Sequence, residues 1–166
     1  MRQLILVAHN LRSTHNVGSL LRTAEGLGVS EVWLTGYTPY PAGGSDDDRL
    51  PHLARKVDAQ IAKTALGAEK QIKWHRTADI ARLVQELRQQ GVTVIGLEQT
   101  PKSLPLPEFQ PPDKLALIVG REVEGLEPEV LQVCDQTVEI PMFGKKESFN
   151  VVQAAAMALY YCRFML

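Results

Sequence analysis

Apolar residues follow two patterns along this chain, short continuous runs and longer repeats with helical spacing. Residues 4–8 form an unbroken apolar run, as expected of a strand that is buried on both faces of a sheet. Residues 77–90 place apolar side chains at every third or fourth position before Gly91, which is typical of an amphipathic helix and its end. The remaining sequence alternates between these two patterns.

The alternation predicts an α/β fold with a largely parallel sheet flanked by helices. The predicted strands cover residues 4–8, 31–35, 70–74, 92–97, 115–119 and 138–140. The predicted helices cover residues 16–27, 53–66, 77–90, 126–133 and 150–164. Residues 39–48 and 101–112 are rich in proline, glycine or aspartate and are predicted to be surface connections. No internal repeat or linker divides the sequence, so we expect one domain over residues 1–166.

Composition and spacing exclude several classes of protein. Hydrophobic residues make up 45% of the chain, as in ordinary globular proteins, and no apolar run is long enough to cross a membrane. Cys134 and Cys162 are isolated thiols, which fits a reducing cytoplasm. The histidines have no metal-ligand spacing, so no metal is expected. The absence of a GxGxxG fingerprint after the first strand disfavours a nucleotide-dependent oxidoreductase.

The charge distribution is uneven although the net charge is only −1. Residues 49–76 contain seven lysines and arginines against Asp58 and Glu69. A basic segment in an otherwise acidic chain is either a contact surface for a polyanion or a solvated helix face, and the charges alone favour neither.

Polar residues also follow the ends of three predicted strands, where α/β proteins place their ligands. In the first group, Asn16 is expected to be a helix N-cap. Arg22 falls between Leu21 and Ala24, close to the apolar stripe of that helix, so we expect an anionic partner for it. That partner is equally well a structural carboxylate or a bound anion.

The second group is the turn between Gly120 and Gly125, whose glycines indicate a close backbone approach. Glu122 and Glu124 on this turn could carry out acid–base chemistry. Alternatively, they are charges favoured by the dipole of the following helix.

The third group precedes the last predicted helix. Gly144 permits a turn, Lys145 and Lys146 follow it, and Ser148 and Asn150 stand at the helix N-terminus, a favourable place for a polar or anionic ligand. Capping requires only one of these two side chains, most simply Asn150. Ser148 is therefore left without a structural role.

Taken in order, these groups read NVG…RTA at residues 16–24, GREVEGL at 120–126 and IPM…SFNV at 140–151. Together they resemble the three sequence motifs of the SpoU/TrmH group of RNA methyltransferases, in the SPOUT superfamily. The segment KTALGAE at 63–69 is similar to a stretch common in its tRNA-modifying members. The likeness extends from about residue 4 to 163. Members usually carry leucine where this chain has Phe149, and many append an RNA-binding domain to the catalytic core.

The resemblance implies a C-terminal deep trefoil knot, a homodimer, and methylation of a ribose 2′-hydroxyl of RNA without a metal. It implies S-adenosylmethionine as the cofactor, with S-adenosylhomocysteine as product. The residues implied to bind this cofactor are Leu97, Glu98, Gly120, Ile140, Met142, Ser148 and Phe149.

The resemblance also assigns five catalytic residues. Arg22 would hold phosphate and stabilise the forming alkoxide, because a guanidinium is not deprotonated in proteins. Ser148 would bind the hydroxyl or relay its proton. Asn16 and Asn150 would orient substrate and loop, and Glu122 would fix the second-motif turn or the Arg22 side chain.

The leading hypothesis is thus an S-adenosylmethionine-dependent ribose 2′-O-methyltransferase, with tRNA favoured over rRNA as substrate. The alternative, from another class, is a catalytically silent RNA-binding module of the same fold.

Overall fold

The structure is a computed structural model that describes residues 1–43 and 47–165. Its strands are Gln3–His9 (β1), Glu31–Thr35 (β2), Trp74–Thr77 (β3), Thr93–Leu97 (β4), Leu104–Pro105 (β5), Lys114–Val119 (β6) and Gln136–Glu139 (β7). Its helices are Thr14–Gly26 (α1), Pro51–Ala65 (α2), Ile80–Gln89 (α3), Pro128–Val133 (α4) and Val151–Phe164 (α5). Short 3-10 turns cover Ala68–Lys70 and Leu106–Glu108.

The strands of the described residues form one sheet in the order β3-β2-β1-β6-β4-β7-β5. Every neighbouring pair is parallel, so all carboxyl ends of the strands lie at one edge of the sheet. The predicted α/β fold with a parallel sheet flanked by helices is confirmed.

Strand β1 shows how the apolar pattern places the helices. Successive side chains of a strand point to opposite faces of the sheet. Leu4 and Leu6 belong to the core formed with α1, α2 and α5, whereas Ile5 and Val7 belong to the core formed with α3 and α4. A continuous apolar run is therefore required, because both faces of the strand are covered.

Helices α1 and α2 pack closely through Gly18. A Cβ atom at this position would lie 2.2 Å from the carbonyl oxygen of Ile61 and from Oγ1 of Thr64. The absence of a side chain at Gly18 thus lets the two helix backbones approach.

Two local predictions are wrong. Ser13, not Asn16, is the N-cap of α1: the Ser13 hydroxyl accepts the Asn16 N–H at 3.2 Å, and α1 begins at Thr14. The expected strand at 70–74 is displaced to Trp74–Thr77, because the chain first turns through left-handed Leu66 and a 3-10 turn that buries Ala68 and Glu69.

The proline-rich segment is more than the predicted surface connection. Leu104–Pro105 forms the edge strand β5 beside β7, where proline is tolerated. Leu106 and Phe109 then enter the core. Residues 44–46 of the other predicted loop lie outside the described residues, and the flanking parts of that loop contain neither helix nor strand. No helix in the described ranges is both long and apolar enough to span a bilayer.

Candidate functional site

A cleft lies at the carboxyl-terminal edge of the sheet, beyond the ends of β4, β6 and β7. It spans about 720 Å³ of space, counting the part open to solvent. The first turn of α5 lines it through Val151 and Ala154. The structure brings to this cleft all seven residues that the resemblance assigns to the cofactor: Leu97, Glu98, Gly120, Ile140, Met142, Ser148 and Phe149.

The loop after β6 forms one wall of the cleft and folds back on itself. Arg121 and Gly125 exchange backbone hydrogen bonds of 3.2 and 3.1 Å. A Cβ atom at Gly120 would lie only 2.6 Å from the carbonyl carbon of Gly125, so the two backbones meet where no side chain fits. Gly125 has a φ of +70°, and the Glu98 carboxylate occupies the place of its missing Cβ while accepting the Leu126 N–H at 2.8 Å. The loop is therefore fixed to the end of β4.

Glu122 joins this loop to the start of α1. Its Oε1 accepts hydrogen bonds from the Ser13 N–H at 3.0 Å and from the Asn16 amide at 3.1 Å, and the Arg12 N–H lies 3.2 Å from Oε2. Burial acts to raise the pKa of Glu122, but the hydrogen bonds, led by that from Ser13, outweigh it and hold the pKa below its usual value. The carboxylate thus stays charged and binds the backbone N–H groups of Arg12 and Ser13, which precede the helix.

Asn150 joins the third motif to the same group. Its Oδ1 caps α5 by accepting the Val152 N–H at 2.9 Å, as predicted, and its Nδ2 donates to Oδ1 of Asn16 at 3.4 Å. Ser148 is exposed at the cleft, and its hydroxyl has no hydrogen-bond partner among the described residues. The three motifs are thus connected through Asn150, Asn16 and Glu122, and Ser148 remains free for a ligand.

Arg22 makes no contact with Asn150, Asn16 or Glu122 of the same chain. It is exposed, whereas the sequence predicted a position close to the apolar stripe of α1. No carboxylate within the described ranges lies within 4.0 Å of it, so the structure contains no ion pair for Arg22. Arg22 is six residues after Asn16, which places it about 9 Å further along the helix axis and about 120° around it. It is consequently not among the residues that line the cleft.

A buried polar cluster behind the loop was missed by the sequence analysis. His9 is 6% exposed and lies 2.8 Å from Oγ1 of Thr35 and 3.6 Å from Oε2 of Glu127. Asn10 donates to Oε1 of Glu127 at 2.8 Å, and Arg121 lies 3.6 Å from the same oxygen. Burial lowers the pKa of His9, which Glu127 opposes, so the imidazole is held neutral near pH 7.

The cluster ties the end of β1 to the approach to α4, beneath the wall of the cleft. Asn10 adopts a φ of +54°, uncommon outside glycine, and its side chain accepts the Tyr37 N–H at 3.1 Å. In the sequence, this cluster was indicated only by the dipeptide His9-Asn10 at the end of a strand. Glu127 by itself indicates no more than a negative charge at the start of a helix.

Carboxylates dominate the electrostatics of the cleft. Its lining contains one cation, Arg121, against four acidic side chains, Glu98, Glu122, Glu124 and Glu139. Apolar side chains at Leu97, Ile140, Met142 and Phe149 supply the rest of the wall. The site therefore suits a ligand that combines apolar surface with positive charge.

Comparison with known proteins identifies the family of the chain. The sequence profile of the SpoU rRNA methylase family matches residues 48–160, more than half of the chain. The chain belongs to the SpoU rRNA methylase family. A similar SpoU-type relative is the 23S rRNA (guanosine-2′-O-)-methyltransferase RlmB of Acinetobacter baylyi, which is 35% identical over 158 residues covering 95% of this chain and 58% of the relative.

Solved structures share the fold. The AdoMet-bound rRNA methyltransferase from Sinorhizobium meliloti has a TM-score of 0.82 at 21% identity, covering 100% of this chain and 58% of that chain. A structure concerned with the 2-OH methylation of C/U34 on tRNA has a TM-score of 0.75 at 24% identity, covering 97% and 94%. Among the curated sequence relatives, by contrast, this SpoU family member spans little more than half of each relative's length.

Proposed function

We propose that this chain transfers a methyl group from S-adenosylmethionine to a ribose 2′-hydroxyl of RNA. The observation that carries the proposal is a cleft lined by the second and third motifs and by all seven expected cofactor residues, with Asn16 of the first motif bonded to Glu122 in its wall. Membership of the SpoU family and the named activity of the Acinetobacter relative support it.

The residues of the cleft fit this cofactor. S-adenosylmethionine supplies an electrophilic methyl group on a cationic sulfonium, together with an ammonium group. The four carboxylates favour such positive charge and would repel the diphosphate of a nicotinamide dinucleotide. The backbone contact at Gly120 and the apolar wall at Leu97 and Ile140 would receive its adenosine part.

The residues around Ser148 fit the acceptor side of the reaction. The Ser148 hydroxyl would bind the ribose hydroxyl or relay its proton. Asn16 and Asn150 would hold substrate and loop in register, and Glu122 would fix the start of α1 rather than Arg22. Such positioning contributes much of the rate in reactions that join two bound reactants.

The first experiment is calorimetry of the chain with S-adenosylmethionine, followed by methyl transfer to rRNA and tRNA. Binding with stoichiometry of one per chain and label in a ribose 2′-O-methyl group are expected. Absence of cofactor binding would reject the proposal and favour the silent RNA-binding module. Gly120→Ala should abolish binding, whereas Gly144→Ala, where a Cβ meets nothing within 4 Å, should preserve it.

We propose that the active form is a homodimer. Helix α5 exposes a continuous apolar face at Met157, Tyr160 and Phe164, which are 37%, 59% and 58% exposed, next to a groove completed by Leu106. A face of this kind on a helix that also borders the cleft is suited to a second copy of the chain. A monomer in analytical ultracentrifugation that still methylates RNA would contradict the dimer.

The dimer would also give Arg22 its role. Because Arg22 does not line its own cleft, we propose that it stabilises the alkoxide in the cleft of the partner subunit. Coexpression of Arg22→Ala and Ser148→Ala chains tests this: mixed dimers would contain one intact site, giving about a quarter of wild-type activity. Arg22→Ala alone should cost on the order of a hundredfold. Activity that stays at the background of the two single variants would place Arg22 in its own site, and full activity of Arg22→Ala alone would place it outside catalysis.

Within the basic segment at residues 49–76, we propose that one face of helix α2 contacts the RNA. Arg49, Lys73 and Arg76 lie 2.6, 3.4 and 3.8 Å from carboxylates. The three cations on α2, Arg55, Lys56 and Lys63, are exposed with no ion pair to the described residues, as is Lys70 beyond the end of the helix. Positions 55, 56 and 63 lie on one side of the helix, together with His52.

Neutralising this face tests its role. The triple change Arg55→Gln, Lys56→Gln and Lys63→Gln should lower RNA affinity. It should also make the slope of the logarithm of the binding constant against the logarithm of salt concentration less steep, by about 0.7 for each lost phosphate contact. The double change Lys102→Gln and Lys114→Gln, at exposed sites elsewhere, is the control. Equal losses in both variants would indicate only a general charge effect.

The RNA species is proposed from the relatives. The sequence analysis favoured tRNA, but two relatives, 31% and 35% identical to this chain, are named 23S rRNA methyltransferases, which favours the rRNA alternative. Mapping 2′-O-methylated nucleosides in rRNA and tRNA from a strain that lacks the gene decides between them.

Three further expectations belong to the same proposal. One domain over residues 1–166 is supported by the single sheet on which both cores are built. A trefoil knot in the C-terminal part is supported by the likeness to solved SpoU structures, and the backbone trace of a crystal structure would test it. A cytoplasmic place is supported by the free thiols of Cys134 and Cys162.

A further inference from the structure

Two apolar side chains on the loops that border the cleft are almost completely exposed. Phe143 is 100% and Val123 is 89% exposed, more than any other large apolar side chain of the described residues apart from Met1. Val123 lines the cleft on the loop after β6, and Phe143 follows Met142, which lines it from the loop after β7. The two loops that border the cleft thus each present an uncovered apolar group.

The fold does not need the Phe143 side chain. Phe143 belongs to neither apolar core, and a Cβ atom at neighbouring Gly144 would meet nothing within 4 Å, so the loop stands clear of the protein. Covering a phenylalanine side chain is favourable, because it removes apolar surface from water. The fold leaves the Phe143 ring uncovered, so a ligand that covers the ring would gain this free energy on binding.

The surroundings of Phe143 indicate what that ligand is. Lys145 and Lys146 follow it and are exposed, and neither has an ion pair with any described residue. An aromatic ring beside lysines is the combination that binds unpaired RNA, because bases stack on the ring and phosphates pair with the ammonium groups. Protein–protein interfaces are depleted in lysine, so two unpaired lysines beside the ring favour RNA over a second protein chain as the ligand.

We propose that Phe143 is a stacking platform for an unpaired base of the RNA substrate, with Lys145 and Lys146 binding the adjoining phosphates. The stacked base would be that of the methylated nucleotide or of its neighbour, since Met142 and Ser148 on the same loop line the cleft. This inference rests on the proposed function, because it uses RNA as the substrate.

Fluorescence and binding measurements test the platform. Phe143→Trp adds an exposed indole to Trp33 and Trp74, whose emission in the wild-type chain gives the baseline. Adding a single-stranded oligoadenylate should quench the additional emission. Phe143→Ala should weaken binding of the same oligonucleotide by roughly 5- to 100-fold, as expected for one lost stacking contact. Phe143→Tyr should bind within about threefold of wild type, and Phe143→Leu should resemble alanine.

Parallel measurements separate this proposal from the proposed function. Calorimetry with S-adenosylmethionine should give the same affinity for wild type and Phe143→Ala. Failure of both to bind the cofactor would reject the proposed methyltransferase, whereas the stacking of RNA bases on Phe143 would still be decided by the oligonucleotide measurements. Unchanged oligonucleotide binding in Phe143→Ala, or no quenching in Phe143→Trp, would overturn the platform. So would a fall in sedimentation mass in Phe143→Ala, which would show that a second copy of the chain covers the ring.

Discussion

Replacing Glu122 with alanine is expected to loosen the junction between the first and second motifs. The change removes the acceptor that the Ser13 N–H and the Asn16 amide share at 3.0 and 3.1 Å. It also frees the Asn16 side chain, whose Oδ1 accepts from Asn150. The loss should therefore reach both the stability of the fold and the geometry of the cleft.

The magnitude follows from those contacts. The Arg12 N–H is exposed and can turn to water, so only the two part-buried donors are counted. At about 1 kcal/mol for each, the free energy of unfolding falls by about 2 kcal/mol. In a chain of this size that lowers Tm by about 4–8 °C. Glu122→Gln keeps an oxygen at Oε1 and should lose about half as much.

Urea titration of wild type, Glu122→Ala and Glu124→Ala measures this effect. Glu124 is the matched control, because it lies on the same loop and its only ion pair in the described residues is an exposed one, with Arg12. Glu124→Ala should change the unfolding free energy little. Equal losses in the two variants would show that charge on the loop, and not the contacts of Glu122, stabilises the junction.

The pH dependence gives a second measure of the same residue. The pKa of Glu122 is lower in the folded chain than its unfolded value of about 4.3, so its stabilisation is complete above that pH and disappears as the pH falls through the folded value. The difference between wild type and Glu122→Gln should accordingly be constant from pH 8 to pH 5 and shrink in more acidic solution. A difference that instead grew below pH 4 would refute the assignment.

Two further predictions concern packing and thiol chemistry. Gly18→Ala should lower the free energy of unfolding by about 1–3 kcal/mol in urea titration, because its Cβ would meet the α2 backbone, whereas Gly26→Ala, where a Cβ meets nothing within 4 Å, should be neutral or slightly stabilising; equal values would exclude the close helix contact. Burial raises the pKa of Cys134 and of Cys162 to about 11, so a disulfide reagent at pH 8 should label the native chain far more slowly than the urea-unfolded chain, and rapid native labelling would contradict this.

The sheet and its helices were predictable because burial on two faces demands continuous apolar runs. The alternation in β1 is an example, since Leu6 and Val7 serve different cores and neither can be polar. The segment at 101–112 was not predictable in the same way. Its prolines indicate a surface connection, yet Leu106 and Phe109 are buried because β5 adds to the edge of β7, a contact set by distant sequence.

Cap positions show the same limit at the site. Ser13 and Asn16 are both suitable N-caps, and the sequence alone favours Asn16 because it stands next to the apolar repeat. Glu122, 106 residues away, decides the matter: it binds the Asn16 side chain and the Ser13 N–H, which leaves the Ser13 hydroxyl to cap α1. Local chemistry offers the candidates, and a tertiary contact selects between them.

The corner at residues 148–150 follows from this selection. Asn150 uses its amide oxygen to cap α5 and its amide nitrogen to reach Asn16, so both of its polar atoms are engaged. Capping therefore needs nothing from Ser148, whose hydroxyl faces the cleft beside Phe149 without a partner among the described residues. If Ser148 were only part of the helix start, Ser148→Ala would change neither stability nor catalysis. If it binds the acceptor hydroxyl, the same change should leave Tm intact and lower kcat by about a hundredfold, the usual cost of losing one positioned catalytic group.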